Sequence, residues 1–329
     1  ANSLVGSTSQ DVVGRWVTVL TSGDYVVTSP TWANGPLGCV GAVTLCRSTG
    51  NCNGQAVSAA NSLVGSQALD LVGGGTRLAL SNGSYVVSSP FWANGTVEQA
   101  GAVTWCSGAG ECVGPVTTAN SLVGSSLDDR IGYYLALQAL DNGSYVVRSS
   151  YWNNGVVADV GAVTWCSDAG SCNGKAVGAD NSLVGTVANE AVGMDEIIPL
   201  ANGNFLVFDS KWGSSRGALA WCSGTVGCSG EISEANSVVD PVALGPIVGE
   251  SLPVTLLSNG NYVVINRTGD EYQVMWCDGT LGCHGATTVA TSLTGDHTND
   301  FYVNEITPLE NGNYVVSASY WDYGEIGRA

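Results

Sequence analysis

The feature that most limits how this chain can fold is a cysteine pair that recurs at one spacing. Cys46 and Cys52, Cys106 and Cys112, Cys166 and Cys172, Cys222 and Cys228, and Cys277 and Cys283 each form a C-x5-C unit. The residues leading into each pair recur too: AVTLC at 42–46, GAVTWC at 101–106 and 161–166, GALAWC at 217–222 and YQVMWC at 272–277. A strand ending in cysteine, a short turn and a second cysteine brings two Cα atoms within the ~7 Å that a disulfide can span. Each pair therefore reads as a local bridge that staples a hairpin. A metal centre would instead call for C-x2-C or C-x4-C pairs converging on one ion with histidine support. The chain has only His284 and His297, and its pairs are evenly scattered. The eleventh cysteine, Cys39, is left over and reads equally as a buried thiol, an intermolecular partner or an accident of sequence.

The cysteine units fall in register with a second repeated string. Asn-Ser-Leu-Val-Gly opens at Asn2, Asn61, Asn120 and Asn181, with degenerate copies at Asn236 and Thr291. This divides the chain into repeats 1–60, 61–119, 120–180, 181–235, 236–290 and a partial 291–329, with no linker between copies. One array is expected, a single domain over 1–329, because such units bury their apolar faces only against their neighbours.

Inside each copy the order of signals is constant. An apolar run such as 16–20 leads to Ser22-Gly23, Asn82-Gly83, Asn142-Gly143, Asn202-Gly203, Asn259-Gly260 or Asn311-Gly312. Asn-Gly between apolar runs predicts a hairpin with a two-residue type I′ turn. An aromatic and two aliphatic residues follow, as in Tyr85-Val86-Val87 and Tyr145-Val146-Val147. Then come a loop, the GAVTWC strand, the cysteine turn and a weaker fourth strand expected near 55–60. Adjacent valines in place of strict alternation imply a sheet covered on both faces. Four short antiparallel strands per repeat, buried on both sides, describe a β-propeller blade. The expected fold is all-β: a propeller of six four-stranded blades, the sixth incomplete, with a disulfide-stapled hairpin in each of the first five.

The string NSLVGS…D-x-VG…L-x-NG-x-YVV-x-SP-x-W-x-NG…GAVTW resembles repeats of large bacterial secreted surface proteins, the filamentous-haemagglutinin-like adhesins, along the whole chain. More distantly it is similar to the FG-GAP repeats of integrin-type propellers, which also place a VG start, a VV-x-SP strand and a GAV strand in that order. The first resemblance implies a surface-exposed adhesive or filamentous role. The second would imply calcium in the first hairpin, but the D-x-D-x-D-G loop that binds it is replaced here by a bare Asn-Gly or Ser-Gly turn.

Composition narrows the partners. The net charge is −18, from 28 acidic and 10 basic residues, while 44% of the chain is hydrophobic and only 12% is charged. That balance excludes an acidic disordered chain and argues against nucleic acid, whose phosphates need clustered cations. No apolar run reaches membrane-spanning length, so no membrane insertion is expected. Eleven cysteines point to an oxidising compartment, so a secreted or cell-surface location is expected, with any leader peptide already removed.

Two recurrent side chains could form a site. One is a carboxylate ahead of the first strand: Asp11, Asp70, Asp129, Glu190 and Asp300, with Pro246 in the fifth copy. It reads either as a ring of acids on one face or as a side chain that caps loop amides, as Asp does in turns. The other is a tryptophan after the second strand: Trp32, Trp92, Trp152, Trp212 and Trp321. It reads either as a platform for sugars, with the acids at its edge, or as packing between blades. Trp105, Trp165, Trp221 and Trp276, just before cysteine, read as packing around the bridges. Asn82, Asn94, Asn142 and Asn266 lie in N-x-[ST] sequons, two of them the hairpin Asn-Gly itself. No nucleophile elbow, H-E-x-x-H or P-loop string occurs, and no catalytic residue, metal or cofactor is expected. The function expected is non-enzymatic, in adhesion or assembly. A lectin using the Trp/Asp loops is the alternative, and a polysaccharide-acting enzyme comes third. Glycans and further copies of the chain are the expected partners. The sixth repeat stops before its GAVTW strand, so the chain is expected to be a fragment of a longer one or to join head to tail through that edge.

Overall fold

The computed structural model describes residues 2–110, 112–239, 254–268, 271–286, 292–295 and 302–319. Apart from one helical turn at Trp212–Ser215, the described elements are strands, arranged in six sheets. The chain divides into two compact units, residues 1–194 with 227–230, and residues 195–226 with 231–329.

In the first unit each repeat supplies the first three strands of one blade. The first sheet runs Trp16–Val19, Tyr25–Ser29, Ala42–Cys46, Ser62–Val64. The second runs Arg77–Ala79, Tyr85–Ser89, Ala102–Cys106, Leu122–Val123, and the first four strands of the third are Leu137–Ala139, Tyr145–Ser149, Ala162–Cys166, Ser182–Val184. These strands pair antiparallel in chain order, as in Tyr145↔Cys166 and Val163↔Leu183. The second unit repeats the plan with Ile197–Pro199, Phe205–Asp209, Ala218–Cys222, Ser237–Val239, then with Val254–Leu256, Tyr262–Thr268, Glu271–Cys277, Leu293–Thr294. Its last sheet is the pair Tyr302–Pro308 and Tyr314–Ser319. The all-β, blade-per-repeat organisation expected from the sequence is present, with two strands described in the sixth.

Consecutive valines are used as expected. Tyr145, Val146 and Val147 are all fully buried, although their side chains alternate between sheet faces. One core cluster joins Val86, Val103 and Leu122 of the second sheet, with Ile131, to Tyr145 and Val147 of the third and to Trp152 in the loop after its second strand. Neighbouring blades thus cover each other's faces. In the second unit Leu206 and Leu219 share a cluster with Tyr262 and Val264 in the same manner.

Two local expectations need correction. The hairpins are not two-residue type I′ turns. Only the glycine has positive φ, +85° at Gly23 and Gly83 and +89° at Gly143. The Gly83 amide donates to Leu80 O and the Leu80 amide to Ser84 O. This is the three-residue loop, a type I turn closed by a left-handed glycine. The asparagine serves by its side chain: Asn82 Oδ1 accepts the Ser84 amide at 2.9 Å, and Asn202 and Asn259 bond the amides of Asn204 and Asn261 at 3.1 Å. Such Asx bonds select Asn in turns without requiring it to adopt positive φ.

The fourth strand is also displaced. Residues 55–60 hold only a single bridge, Ala56 to Val5, and the fourth strand of the first sheet is Ser62–Val64, inside the NSLVG string. Each blade therefore takes its last strand from the opening of the next sequence repeat. The residues after the disulfide turn cross to the preceding sheet and pair in parallel, Leu63↔Gly114 and Val64↔Pro115. Repetition of NSLVG is explained by what each residue does. Asn61 Oδ1 accepts the Ser58 amide and the Ser62 hydroxyl, both at 2.9 Å, and its Nδ2 donates to Ala56 O. The Ser62 hydroxyl bonds the Thr44 hydroxyl at 2.7 Å, a buried contact repeated by Thr104 with Ser121 and Thr164 with Ser182. Leu63 and Val64 enter the core. Gly65 leaves no room for a side chain, since a Cβ would lie 2.3 Å from Val40 O.

Candidate functional site

The recurrent acids and the post-strand tryptophans do meet, but inside the fold. Asp70 is 1% exposed. Its Oδ2 accepts the amides of Ser66 and Gln67, both at 2.8 Å, and its Oδ1 accepts the amide of Ala93 at 3.0 Å, the residue after Trp92. Asp129 repeats this with Ser125, Ser126 and Asn153, and also accepts from Asn153 Nδ2 at 2.8 Å. Asp11 does the same with Ser7, Thr8 and Ala33 and adds the Thr8 hydroxyl at 2.7 Å. The carboxylate thus ties the loop before the first strand to the loop after the second. Of the two readings of the acids, this geometry is that of the cap.

The backbone around these acids is strained. Leu69 and Leu71 flank Asp70 at φ +68° and +48°, and Asp128 and Arg130 flank Asp129 at +62° and +44°. Non-glycine residues enter this region only when surrounding bonds over-determine it, and the carboxylate supplies such bonds. Cys39 belongs to the same framework. It shares positive φ with Gln99 and Asp159, and all three offer their carbonyl to the amide after the acid: Leu71, Arg130 and Ala191. The position is used through its backbone, so cysteine there is not required, and Cys39 is a half-buried free thiol.

The electrostatics follow from cover. Burial pushes the Asp70 and Asp129 carboxyls above the ordinary value, against the pull of their amide bonds. At Asp11 burial also pushes upward, but the Thr8 hydroxyl and the amides of Thr8, Ala33 and Ser7 outweigh it, and the carboxyl lies below the ordinary value. Glu190, one methylene longer, is 2% exposed; its Oε2 accepts the Thr186 and Val187 amides, while its Oε1 is buried without a hydrogen bond.

The sugar-platform expectation for the tryptophans needs correction. Trp32, Trp92, Trp152 and Trp212 are 3, 3, 4 and 8% exposed. Trp92 lies in a cluster with Val43, Leu63 and Val72, and Trp152 in one with Val160 and Val177. A ring so enclosed offers no face to a sugar. The physical reason is that the preceding blade covers the ring, Val43 and Leu63 of the first sheet against Trp92 and Val86 and Val103 of the second against Trp152, a neighbour that the local sequence does not announce. Trp321 lies outside the described residues, as do Asp300, Pro246 and His297. The tryptophans before cysteine are less uniform than expected: Trp105, Trp165 and Trp221 are half-buried, and Trp276 is 46% exposed. Of the sequon asparagines, Asn266 is buried.

The bridges form as the spacing required: Cys46–Cys52, Cys106–Cys112, Cys166–Cys172 and Cys277–Cys283, with Cα separations of 5.4–5.6 Å. Cys222 and Cys228 are disulfide-bonded as well. The bridges secure the hairpin end, but the second cysteine precedes the parallel crossing segment rather than a fourth antiparallel strand. Among the described residues, no three His, Cys, Asp or Glu side chains gather to hold a metal ion, and no helix is long and apolar enough to cross a membrane.

A family model described as "Repeat of unknown function (DUF5650)" matches residues 19–74, 79–133, 139–194, 199–243, 256–304 and 308–329, six copies that together span most of the chain. The chain belongs to this family. The family's repeat begins in the first strand of a blade and runs through the loop that holds the acid of the next, as in 19–74, which includes Asp70. No curated protein matches the chain. Among solved structures, the chain is similar to a catalytically inactive variant of virginiamycin B lyase from Staphylococcus aureus, crystallised with quinupristin. The identity is 11%, the TM-score 0.32, and the match covers 95% of this chain and 80% of that one.

Proposed function

We propose that this chain is a secreted, non-enzymatic propeller-like module of a surface adhesin or extracellular filament, acting in adhesion or assembly. One observation carries the reading. The repeat's recurrent carboxylate is wired into the same backbone amides in successive copies, at Asp11, Asp70 and Asp129. Recurrence serves architecture, and a self-bracing array of identical blades suits an extended scaffold. Five stapled turns suit an oxidising extracellular setting. The charge of −18 favours neutral or cationic partner surfaces over anionic ones.

The test is direct. Beads coated with the purified chain should adhere to cell-surface or matrix polymers, or the chain should self-associate in sedimentation velocity, and incubation with polysaccharides should release no products. Product release with neither adhesion nor self-association would refute the reading and favour a polysaccharide-acting enzyme.

A further inference from the structure

The first copy of the NSLVG string is paired on one edge only. The Gly54 amide donates to Ser3 O at 3.0 Å, the Val5 amide to Gln55 O at 2.9 Å, and the Val57 amide to Val5 O at 3.0 Å. This is the parallel pairing that its sisters make. Leu4 packs against the clusters that hold Trp32 and Val27, which keeps the segment in strand position. With Ser3 and Val5 bonded on that side, the amides of Leu4 and Gly6 face the other edge, since successive residues of an extended chain alternate.

In the sisters that other edge carries a third strand. Ala42–Thr44 pairs antiparallel with Ser62–Val64, Val103 with Leu122, and Val163 with Leu183. The loop that holds the acid grips the same strand. The amides of Gly65, Leu71 and Val72 donate to the carbonyls of Gly41, Cys39 and Val40 at 3.0–3.2 Å. Gly124, Arg130 and Ile131 do the same toward Gly101, Gln99 and Ala100, and Gly185, Ala191 and Val192 toward Gly161, Asp159 and Val160. The strand's threonine then bonds the serine hydroxyl of the string at 2.7 Å in all three.

The corresponding groups of the first copy are the amides of Gly6, Val12 and Val13 and the hydroxyl of Ser3. Among the described residues none of these four groups has a hydrogen-bond partner. Val5 is 43% exposed, whereas Val64, Val123 and Val184 are buried. Yet Val12 keeps the left-handed φ, +41°, that Leu71, Arg130 and Ala191 adopt at +48°, +44° and +61°. A carbonyl of the third strand braces that conformation in the sisters, and Val12 holds it without one. The edge is thus already shaped for a strand.

We propose that this edge docks, by β-augmentation, the third strand of a further repeat of the same family, an extended segment of Gly-Ala-Val-Thr type. The sisters define what it accepts. Glycine is required opposite Val13, because a Cβ on Gly41, Gly101 or Gly161 would lie 2.2 Å from the amide nitrogen of Val72, Ile131 or Val192. Threonine is required to meet Ser3. The five third strands of this sequence each lie between a second and a fourth strand in their own sheets, so the donor belongs to a repeat outside these 329 residues. The inference rests on the assembly side of the proposed function, whose partner it names. The two can fail separately, because sedimentation velocity reads self-association through any surface and the following titration reads this edge alone.

The experiment adds a peptide of residues 158–166, carrying Cys166→Ser, to the full chain and follows amide NMR and hydrogen exchange. Saturable shifts and slowed exchange should appear at Gly6, Val12 and Val13. The same peptide with Gly161→Ala should bind at least ~10-fold more weakly, since the added Cβ meets backbone and a φ of +76° disfavours alanine. Thr164→Val, which removes the hydroxyl that would meet Ser3, should weaken binding about threefold. Slow exchange at the three amides before peptide is added would overturn the proposal. So would equal binding of the Gly161→Ala peptide, shifts confined to another edge such as Tyr314–Ser319, or no saturable shift at all.

Discussion

Replacing Asp70 by alanine tests the claim that the recurrent acid is a brace. The side chain is 1% exposed and accepts three backbone amides. A hydrogen bond to a charged group contributes about 1.5–3 kcal/mol, and a donor left buried costs a similar amount. The amides of Ser66 and Gln67 belong to exposed residues, so water can replace the lost oxygen there at small cost. Ala93 is half-buried beside Trp92, and its amide bears most of the loss. Relief of the carboxylate's desolvation, visible in its raised pKa, offsets a part. The net cost is about 2–4 kcal/mol, since one full bond and two partial ones are lost. Asp70→Asn keeps one oxygen and should cost about half as much by the same count. Urea denaturation measures the cost, and hydrogen exchange localises it, with faster exchange at Ser66, Gln67 and Ala93. A cost below about 0.5 kcal/mol, the level of an ordinary surface change, together with unchanged exchange at those amides, would refute the brace.

Other outcomes follow from the same geometry. Tyr145→Ala removes a fully buried ring and should lower stability by about 3–5 kcal/mol through cavity formation, read by chemical denaturation. Trp92→Ala should destabilise by a similar ~3–5 kcal/mol; a variant that keeps wild-type stability would show that the ring is not core. Converting Cys106 and Cys112 together to serine opens a very short loop and should cost about 2 kcal/mol, measured against the oxidised parent. The acid limb of stability should carry a contribution from Asp11. Its folded pKa is lowered, so its stabilisation is complete above the unfolded value of about 3.9 and is lost as pH falls through the folded value. Asp11→Asn should flatten that part of the pH–stability curve. Asp70 and Asp129 have the opposite sign: their raised folded values favour the native state at low pH, and that contribution is lost as pH rises through them.

What the amino-acid order determined by itself was everything that depends on a few neighbouring residues. The C-x5-C spacing specified the bridges, because six residues around a turn leave little choice of partner. Tyr-Val-Val marked strands covered on both faces, and Tyr145, Val146 and Val147 are enclosed accordingly. Asn-Gly marked the hairpins, although the turn type escaped, since an Asx bond to the second amide onward selects the same two residues as a left-handed pair does. Tertiary structure decided whatever depends on a neighbouring blade. Residues 55–60 look as strand-like as Ser62–Val64, and only pairing with Ala42–Thr44 and the Thr44–Ser62 hydroxyl contact choose between them. The burial of Trp92 and the turning of Asp70 inward were likewise undecidable locally. An indole beside a carboxylate reads as a platform or as a packed brace depending on whether another sheet lies over it, and that sheet comes from residues ~60 positions away.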